Sequence, residues 1–313
     1  MENEVARVNK SSAISNRLQR YTPAAIAGNL FVYGFLICLF IITFFPFWHI
    51  FVLSLNDASD PTYGRFMLWP NEFSLDSYKT VLKDSEILSS ILVTVGRTVI
   101  GVPLTLACIS MLAYALSKRD LVGWRGINLF FIFTMYFGGG LIPTYMIVRS
   151  FNLIDSFWVF IFPGVISVFW MILVRTYMEG LPKEMEEAAQ MEGANDIQIF
   201  VKVILPVCTP VIATIALFSA ISHWNAWYDS YIYTYAASLK TLSAVLVKIL
   251  NQYQTNDMLN EAQQLANEQR KMPVSSETIR MAVTMVATLP IILLYPLLQK
   301  YFLKGMLIGS VKG

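Results

Sequence analysis

Few side chains in this sequence could do covalent chemistry, and those few do not come in sets. His49 and His223 are the only histidines, and neither has metal-ligand spacing around it. Cys38, Cys108 and Cys208 all fall in apolar runs, so they imply neither a disulfide framework nor a zinc pattern. There is no nucleophile elbow, no His-Glu-x-x-His and no Gly-x-x-x-x-Gly-Lys-Ser/Thr. A nucleotide is therefore not held here by a P-loop, and any ATP-driven work must come from a separate subunit. What remains is charge pairing and ring stacking. Residues 183–206 form an acidic island with Glu184, Glu186, Glu187 and Glu192. Trp224, Trp227, Tyr228 and Tyr231 recur at i, i+3, i+4 and i+7, which puts them on one face of a continuous helix, with Asn225 and Asp229 beside them. Arg97 is a lone cation inside an apolar run.

The elements that must position these groups are membrane spans. The chain has 313 residues, 56% of them hydrophobic, and a mean hydropathy of +0.54. Only 14% are charged, well under the roughly 25% of a soluble domain. The net charge of +2 gives no reason to expect nucleic acid as a partner. A bilayer crossing needs about 20 mostly apolar residues. Six runs qualify: 29–54, 89–116, 127–148, 154–176, 206–235 and 277–299. The first is too long for a signal-peptide core and no small-residue cleavage site follows it, so it reads as an uncleaved span. The expected architecture is an all-α membrane protein with six transmembrane helices.

Orientation follows from Lys and Arg beside the spans. With the N-terminus inside, Arg7, Lys10, Arg17, Arg20, Lys118, Arg119, Arg125, Lys183, Lys202, Lys300 and Lys304 all fall inside, while the short connection at 149–156 has only Arg149. Both termini and the 183–206 island are then expected in the cytoplasm of a multi-pass membrane protein. Segment 56–88 reads as an ordered outer loop with a short helix near Ser77–Leu82. Leu242, Val245, Leu246 and Ile249 have helical spacing and read as an interfacial helix on the outer face, followed by a polar insert at 251–271. Arg97 lies eight residues into the second run. At that depth snorkelling outward is the expected outcome, with pairing inside the bundle as the alternative.

The island cannot lie in hydrocarbon. Glu187, Ala188 and Ala189 favour helix, Gly193 permits a reversal, and Pro206 can start the next helix. Glu187-Ala188-Ala189, Gly193, and Val203-Ile204-Leu205-Pro206 at this spacing resemble the EAA loop of ABC importer permeases, with Val203 where Ile is usual. Gly139-Gly140-Leu141-Ile142-Pro143-Thr144-Tyr145, His223-Trp224-Asn225-Ala226-Trp227 and Gly309-Ser310-Val311-Lys312-Gly313 extend the likeness to the carbohydrate-importer, maltose-permease-like branch. It covers nearly the whole chain after about residue 28 and weakens over 251–276.

The resemblance implies a type I ABC importer permease fold. Residues 1–28 would be a cytoplasmic segment and 29–313 the permease domain, its first helix wrapping the other five. It implies that Glu187, Ala188, Ala189, Gly193, Ala194, Phe200, Leu205 and Pro206 couple to an ATPase. Ala188 and Ala189 would permit close approach to a groove, and Glu187 would pair with a basic residue there. The implied partners are two ATPase subunits carrying ATP and Mg, a second homologous permease subunit, an extracytoplasmic solute-binding protein and an oligosaccharide, all in membrane lipid. No cofactor, metal or catalytic residue is expected on this chain. Two readings fit Trp224, Asn225, Trp227 and Tyr228: an aromatic belt at the outer interface, or a substrate path that stacks on sugar rings. The rival functions are a gradient-driven secondary transporter, which should show intramembrane carboxylates, and a non-transporting membrane scaffold.

Overall fold

Where the apolar runs break decides this architecture more than where they lie. The computed structural model describes residues 23–58, 60, 66–259 and 277–293. Among these residues the regular structure is helical, apart from one antiparallel bridge between Asn56 and Phe73. The helices are α1 Pro23–Ser54, α2 Asp76–Lys83, α3 Ser85–Ser117, α4 Trp124–Tyr136, α5 Leu141–Ser150, α6 Val168–Glu179, α7 Glu184–Met191, α8 Asp196–Val207, α9 Thr209–Asn225, α10 Tyr228–Tyr233, α11 Leu242–Leu259 and α12 over 277–293.

Two of these, α1 from Ile26 and α3, are long and apolar enough to cross a bilayer unaided. Three expected spans prove to be bent pairs. The 127–148 run divides into α4 and α5, turned by 117° across Phe137–Gly140. Gly140 has φ +83°, and no atom lies within 4 Å of a Cβ added at Gly138, so these glycines break the helix rather than bring helices together. The 154–176 run begins as the 3₁₀ stretch Phe157–Gly164, bent by 49° from α6. The 206–235 run is not one helix either: α8 and α9 meet at 79°, and α9 ends at Asn225 because Ala226 is extended. Pro206 lies within α8, and it is Pro210 that occupies the first turn of α9. The last expected span, 277–299, is described only to residue 293.

α3 is the central element and packs along α6 and α9. Ile109, Ala113, Tyr114 and Leu116 of α3 meet Met171, Val174 and Met178 of α6, together with Ile199, Ile204, Cys208 and Ile215. In lipid such contacts hold by close packing, since tails are as apolar as leucine. A second cluster joins Val81 of α2, Ile87, Leu242 and Val245 of α11, and Ala282 and Val283 of α12. The apolar face of α11 is thus covered by protein, not laid on the lipid interface as its periodicity suggests. The short helix expected near Ser77–Leu82 is α2, whose Lys79 ammonium lies 2.8 Å from Asp76. α1 does not wrap this core. Residues 26–44 are exposed throughout, with Phe40, Phe44 and Trp48 stacked in series along the helix.

Candidate functional site

The acidic island folds as a helical hairpin whose turn is fixed by backbone bonds. α7 opens with Glu184, Glu186 and Glu187, acids that suit the positive end of a helix. At its other end Gly193 takes φ +82°. The Gly193 N–H donates to Gln190 O at 2.9 Å and the Ala194 N–H to Ala189 O at 3.0 Å, the paired closure that a left-handed residue makes possible. Asn195 starts α8 at once: its Oδ1 accepts from Gln198 N at 2.9 Å, and Gln198 Oε1 accepts from Asn195 N at 3.0 Å. Six consecutive residues therefore leave little freedom to the reversal.

The hairpin has a packed side and an open side. Ala189, Ala194 and Phe200 pack on the α3–α6–α9 core. Glu187 and Ala188 are exposed, and so are Met191 at 89% and Ile197 at 75%. The expectation that Ala188 and Ala189 present one surface is therefore corrected. Adjacent residues on a helix point about 100° apart, and only Ala188 faces outward. Leu205 and Pro206 sit at the bend into α9, after a π-helical turn at Phe200–Ile204. Two α3-side residues grip the hairpin. Lys118 pairs with Glu186, and its ammonium lies 4.8 Å over the Tyr114 ring. The Tyr114 ring in turn sits 5.1 Å from that of Phe200. Burial disfavours the Lys118 ammonium, but the hydrogen bond and charge of Glu186 outweigh it and hold the pKa above the ordinary lysine value. A cleft of 1320 Å³ opens here, lined among others by Lys118, Arg119, Lys183, Glu187 and Ile197.

A second polar centre lies at Arg97, about 30 Å along α3 from Lys118. Arg97 is only 3% exposed and does not snorkel. Its Nη1 donates to Asp229 Oδ1 at 3.1 Å and its Nη2 to Asp229 Oδ2 at 2.6 Å, a bidentate pair. Nη1 also reaches Ala226 O at 3.3 Å, and the guanidinium stacks 4.9 Å from the Phe160 ring. The pair therefore supports the carbonyl that the break at Ala226 frees. Beside it a recess of 470 Å³ is lined by Asn225, Trp227, Tyr228 and Asp229 among others. Trp227 packs edge-on to both Tyr228 and Tyr231. Trp224 is separated from them by the break; its Nε1 donates to Ala287 O of α12 at 2.8 Å. The four aromatics thus do not share a face. Among the described residues no three His, Cys, Asp or Glu side chains cluster as a metal would require.

α10 is tied down at its other end by Asp155, which the sequence reading passed over. Its Oδ1 accepts from the N–H groups of Tyr235 and Ala236, each at 2.9 Å. The Ala236 bond, then that of Tyr235, hold its carboxyl below the usual carboxylate range. A depressed folded pKa contributes stability that is full above the unfolded value, about 4, and lost as pH falls through the folded one. Hydrogen exchange at the Tyr235 and Ala236 amides should therefore quicken only in strong acid. Asp155→Ala should quicken it by about tenfold at neutral pH; unchanged exchange in that variant would remove the tie from the account.

The apolar bundle thus carries an acidic hairpin at one place and a broken helix beside a buried ion pair at another. Residues 5–308 match the model of the family described as binding-protein-dependent transport system inner membrane component. The chain belongs to that family. It is 37% identical over 285 residues to the polygalacturonan/rhamnogalacturonan transport system permease protein YtcP of Bacillus subtilis, covering 91% of this chain and 98% of that protein. Protein LplC of the same organism is 37% identical over 273 residues, covering 87% and 90%. Among solved structures, a chain from a bacterial ABC transporter involved in the import of the acidic polysaccharide alginate matches with a TM-score of 0.81 and 32% identity, covering 90% of this chain and 99% of that one. A chain from a bacterial alginate ABC transporter in complex with alginate pentasaccharide-bound periplasmic protein shares the fold at a TM-score of 0.53 and 12% identity, covering 88% and 94%. The all-α type I permease fold expected from the resemblance is thus the fold of this inner membrane component.

Proposed function

We propose that this chain is one of two transmembrane subunits of an ATP-driven importer that brings an acidic or other complex oligosaccharide into the cell. The observation that carries the reading is the hairpin: a short helix fixed on a membrane core, with Glu187, Ala188, Met191 and Ile197 open to a partner. Such a surface suits an ATPase subunit with an apolar groove and a basic residue. The partners are two ATPase subunits that hold ATP and Mg, a second homologous permease and an extracytoplasmic binding protein. This chain holds no cofactor and catalyses nothing. Both termini and the hairpin lie in the cytoplasm, and residues 29–313 are the permease domain. Asn225, Trp227 and Tyr228 line the sugar's path, where rings stack on pyranose faces and the amide meets hydroxyls. Trp224 braces that wall from behind through α12. The acidic substrate class is supported by the names of two relatives of high identity, polygalacturonan/rhamnogalacturonan for one and alginate for the other, while more distant relatives are named for arabinooligosaccharides and alpha-glucosides.

The test is uptake by proteoliposomes holding the whole complex and its loaded binding protein. Oligogalacturonides are compared with neutral maltooligosaccharides, with and without vanadate. Uptake that requires ATP, is blocked by vanadate and prefers the acidic series supports the reading. Uptake that survives vanadate and follows an ion gradient sinks it.

A further inference from the structure

Two routes join the hairpin to the far end: the chain itself and α3. Residues 196–233 link the two ends directly, but that path is broken three times. It has the π-helical turn Phe200–Ile204, the 79° bend between α8 and α9, and the extended residue Ala226. A chain with three joints absorbs displacement at each of them.

α3 offers an unbroken alternative. Its 33 residues form one helix, with Pro103 the only proline inside it. Tyr114 and Lys118 lie four residues apart, hence one above the other on the same side. Between them they touch both arms of the hairpin: Lys118 reaches Glu186 on α7, and Tyr114 reaches Phe200 on α8. Twenty-one residues earlier, about 30 Å along a helix, Arg97 grips Asp229 through two bonds and Ala226 through a third. Thr94, one turn before Arg97, accepts from Leu242 N of α11 at 2.9 Å. α3 is therefore held by charge at its hairpin end and again at Arg97, and the stretch Ile109–Leu116 just before the hairpin end is packed into the core with α6 and α9.

Resting on the importer reading above, we propose that α3 is the strut that transmits the hairpin's movement to the broken far end, with the Lys118–Glu186 pair as its drive-side attachment. Lys118 and Glu186 are positioning residues here, acting through α3 and not on nucleotide or sugar. A strut with a loosened attachment lets the ATPase turn over without moving the far end as far. Sugar carried per ATP hydrolysed must then fall.

The experiment uses the complete complex in proteoliposomes, with co-purification of the ATPase subunits scored for every variant. Lys118→Glu and Glu186→Lys should each lower the sugar-to-ATP ratio by roughly three- to fivefold, the scale of a partly exposed ion pair turned repulsive. The charge-swapped double variant should bring the ratio back to within about twofold of wild type. Lys118→Gln removes the attraction without repulsion and lowers the ratio in the same direction, which keeps the test open if a reversal fails to assemble. Single variants with a wild-type ratio, or a double variant that assembles without rescue, overturn the strut. A wild-type complex with no vanadate-sensitive uptake overturns the importer reading first and the strut with it.

Discussion

Gly193→Val in the hairpin is expected to cut transport by about tenfold or more while the chain still reaches the membrane. The reason is conformation and not space. No heavy atom lies within 4 Å of a Cβ built at Gly193, so a Cβ meets open space. The backbone is at φ +82°, however, where a residue with a Cβ is strained by roughly 1–2 kcal/mol and a β-branched one by more. Relief comes only by opening the turn. That lengthens the Gly193–Gln190 and Ala194–Ala189 bonds and swings α8 relative to α7, which displaces Ala194 from the core and Ile197 from the partner surface. At 1.4 kcal/mol per factor of ten, the strain alone shifts the hairpin population by that order. Gly193→Asn, which tolerates a left-handed backbone, should keep transport within about threefold of wild type. Gly193→Asp shares that tolerance but adds a charge beside Glu192, so its loss should fall between the two. Equal transport in the Val and Asn variants would show that the backbone conformation of the turn is irrelevant. Glu187→Lys separates surface from turn: it leaves the closing bonds intact, so lost transport with normal membrane insertion would place the fault at the partner contact.

How much of this was legible beforehand depends on what each signal measures. Hydropathy sums composition over a window, so it located α1 and α3 within a few residues but could not see direction. α4 with α5 and α8 with α9 each satisfy the window as one span while turning by 117° and 79°. The first of these breaks had a local signal in Gly138–Gly140 ahead of Pro143. The break at Ala226 had none, since neither glycine nor proline stands between Trp224 and Tyr235. The turn at Gly193 was readable because only one residue type fits its conformation freely. That Ala188 and Ala189 diverge was readable too, because adjacent helical positions cannot share a face. Arg97 and Asp229 were each visible as a charge in an apolar run, but pairing them needed the approach of elements 132 positions apart in sequence. Two opposite charges isolated in different spans are themselves the signal for such a pair. Asp155 offered nothing of the kind, since its partners are backbone N–H groups and carry no residue identity.

Breaking the Arg97–Asp229 pair should give a large stability effect, and the two ways of breaking it should differ. Removing one partner of a buried pair costs about 3–5 kcal/mol because a charge is left without compensation. Asp229→Asn leaves the guanidinium, 3% exposed, with a neutral amide whose one oxygen accepts where two carboxylate oxygens did. Arg97→Met leaves a carboxylate that is 24% exposed beside the 470 Å³ recess. Asp229→Asn should therefore destabilise more than Arg97→Met. Arg97→Lys should not rescue, since one ammonium cannot repeat the fork that spans both carboxylate oxygens and the Ala226 carbonyl. The double variant Arg97→Met/Asp229→Leu removes both charges and should be more stable than Asp229→Asn alone. It should still fail to transport, because the break then keeps only weaker bonds, such as that from Thr241 Oγ1 to the Ala226 carbonyl at 3.2 Å. Thermal unfolding of the purified complex ranks the four variants, and uptake separates stability from function. If Arg97→Lys melts and transports like wild type, the bidentate geometry is incidental and only the charge matters. If the double variant transports, α10 is held well enough by its other bonds, those of Asp155 to the chain after it and of Lys240 Nζ (3.1 Å) and Thr241 N (3.1 Å) to Ser230, and the far end of the strut has to be sought elsewhere on α3.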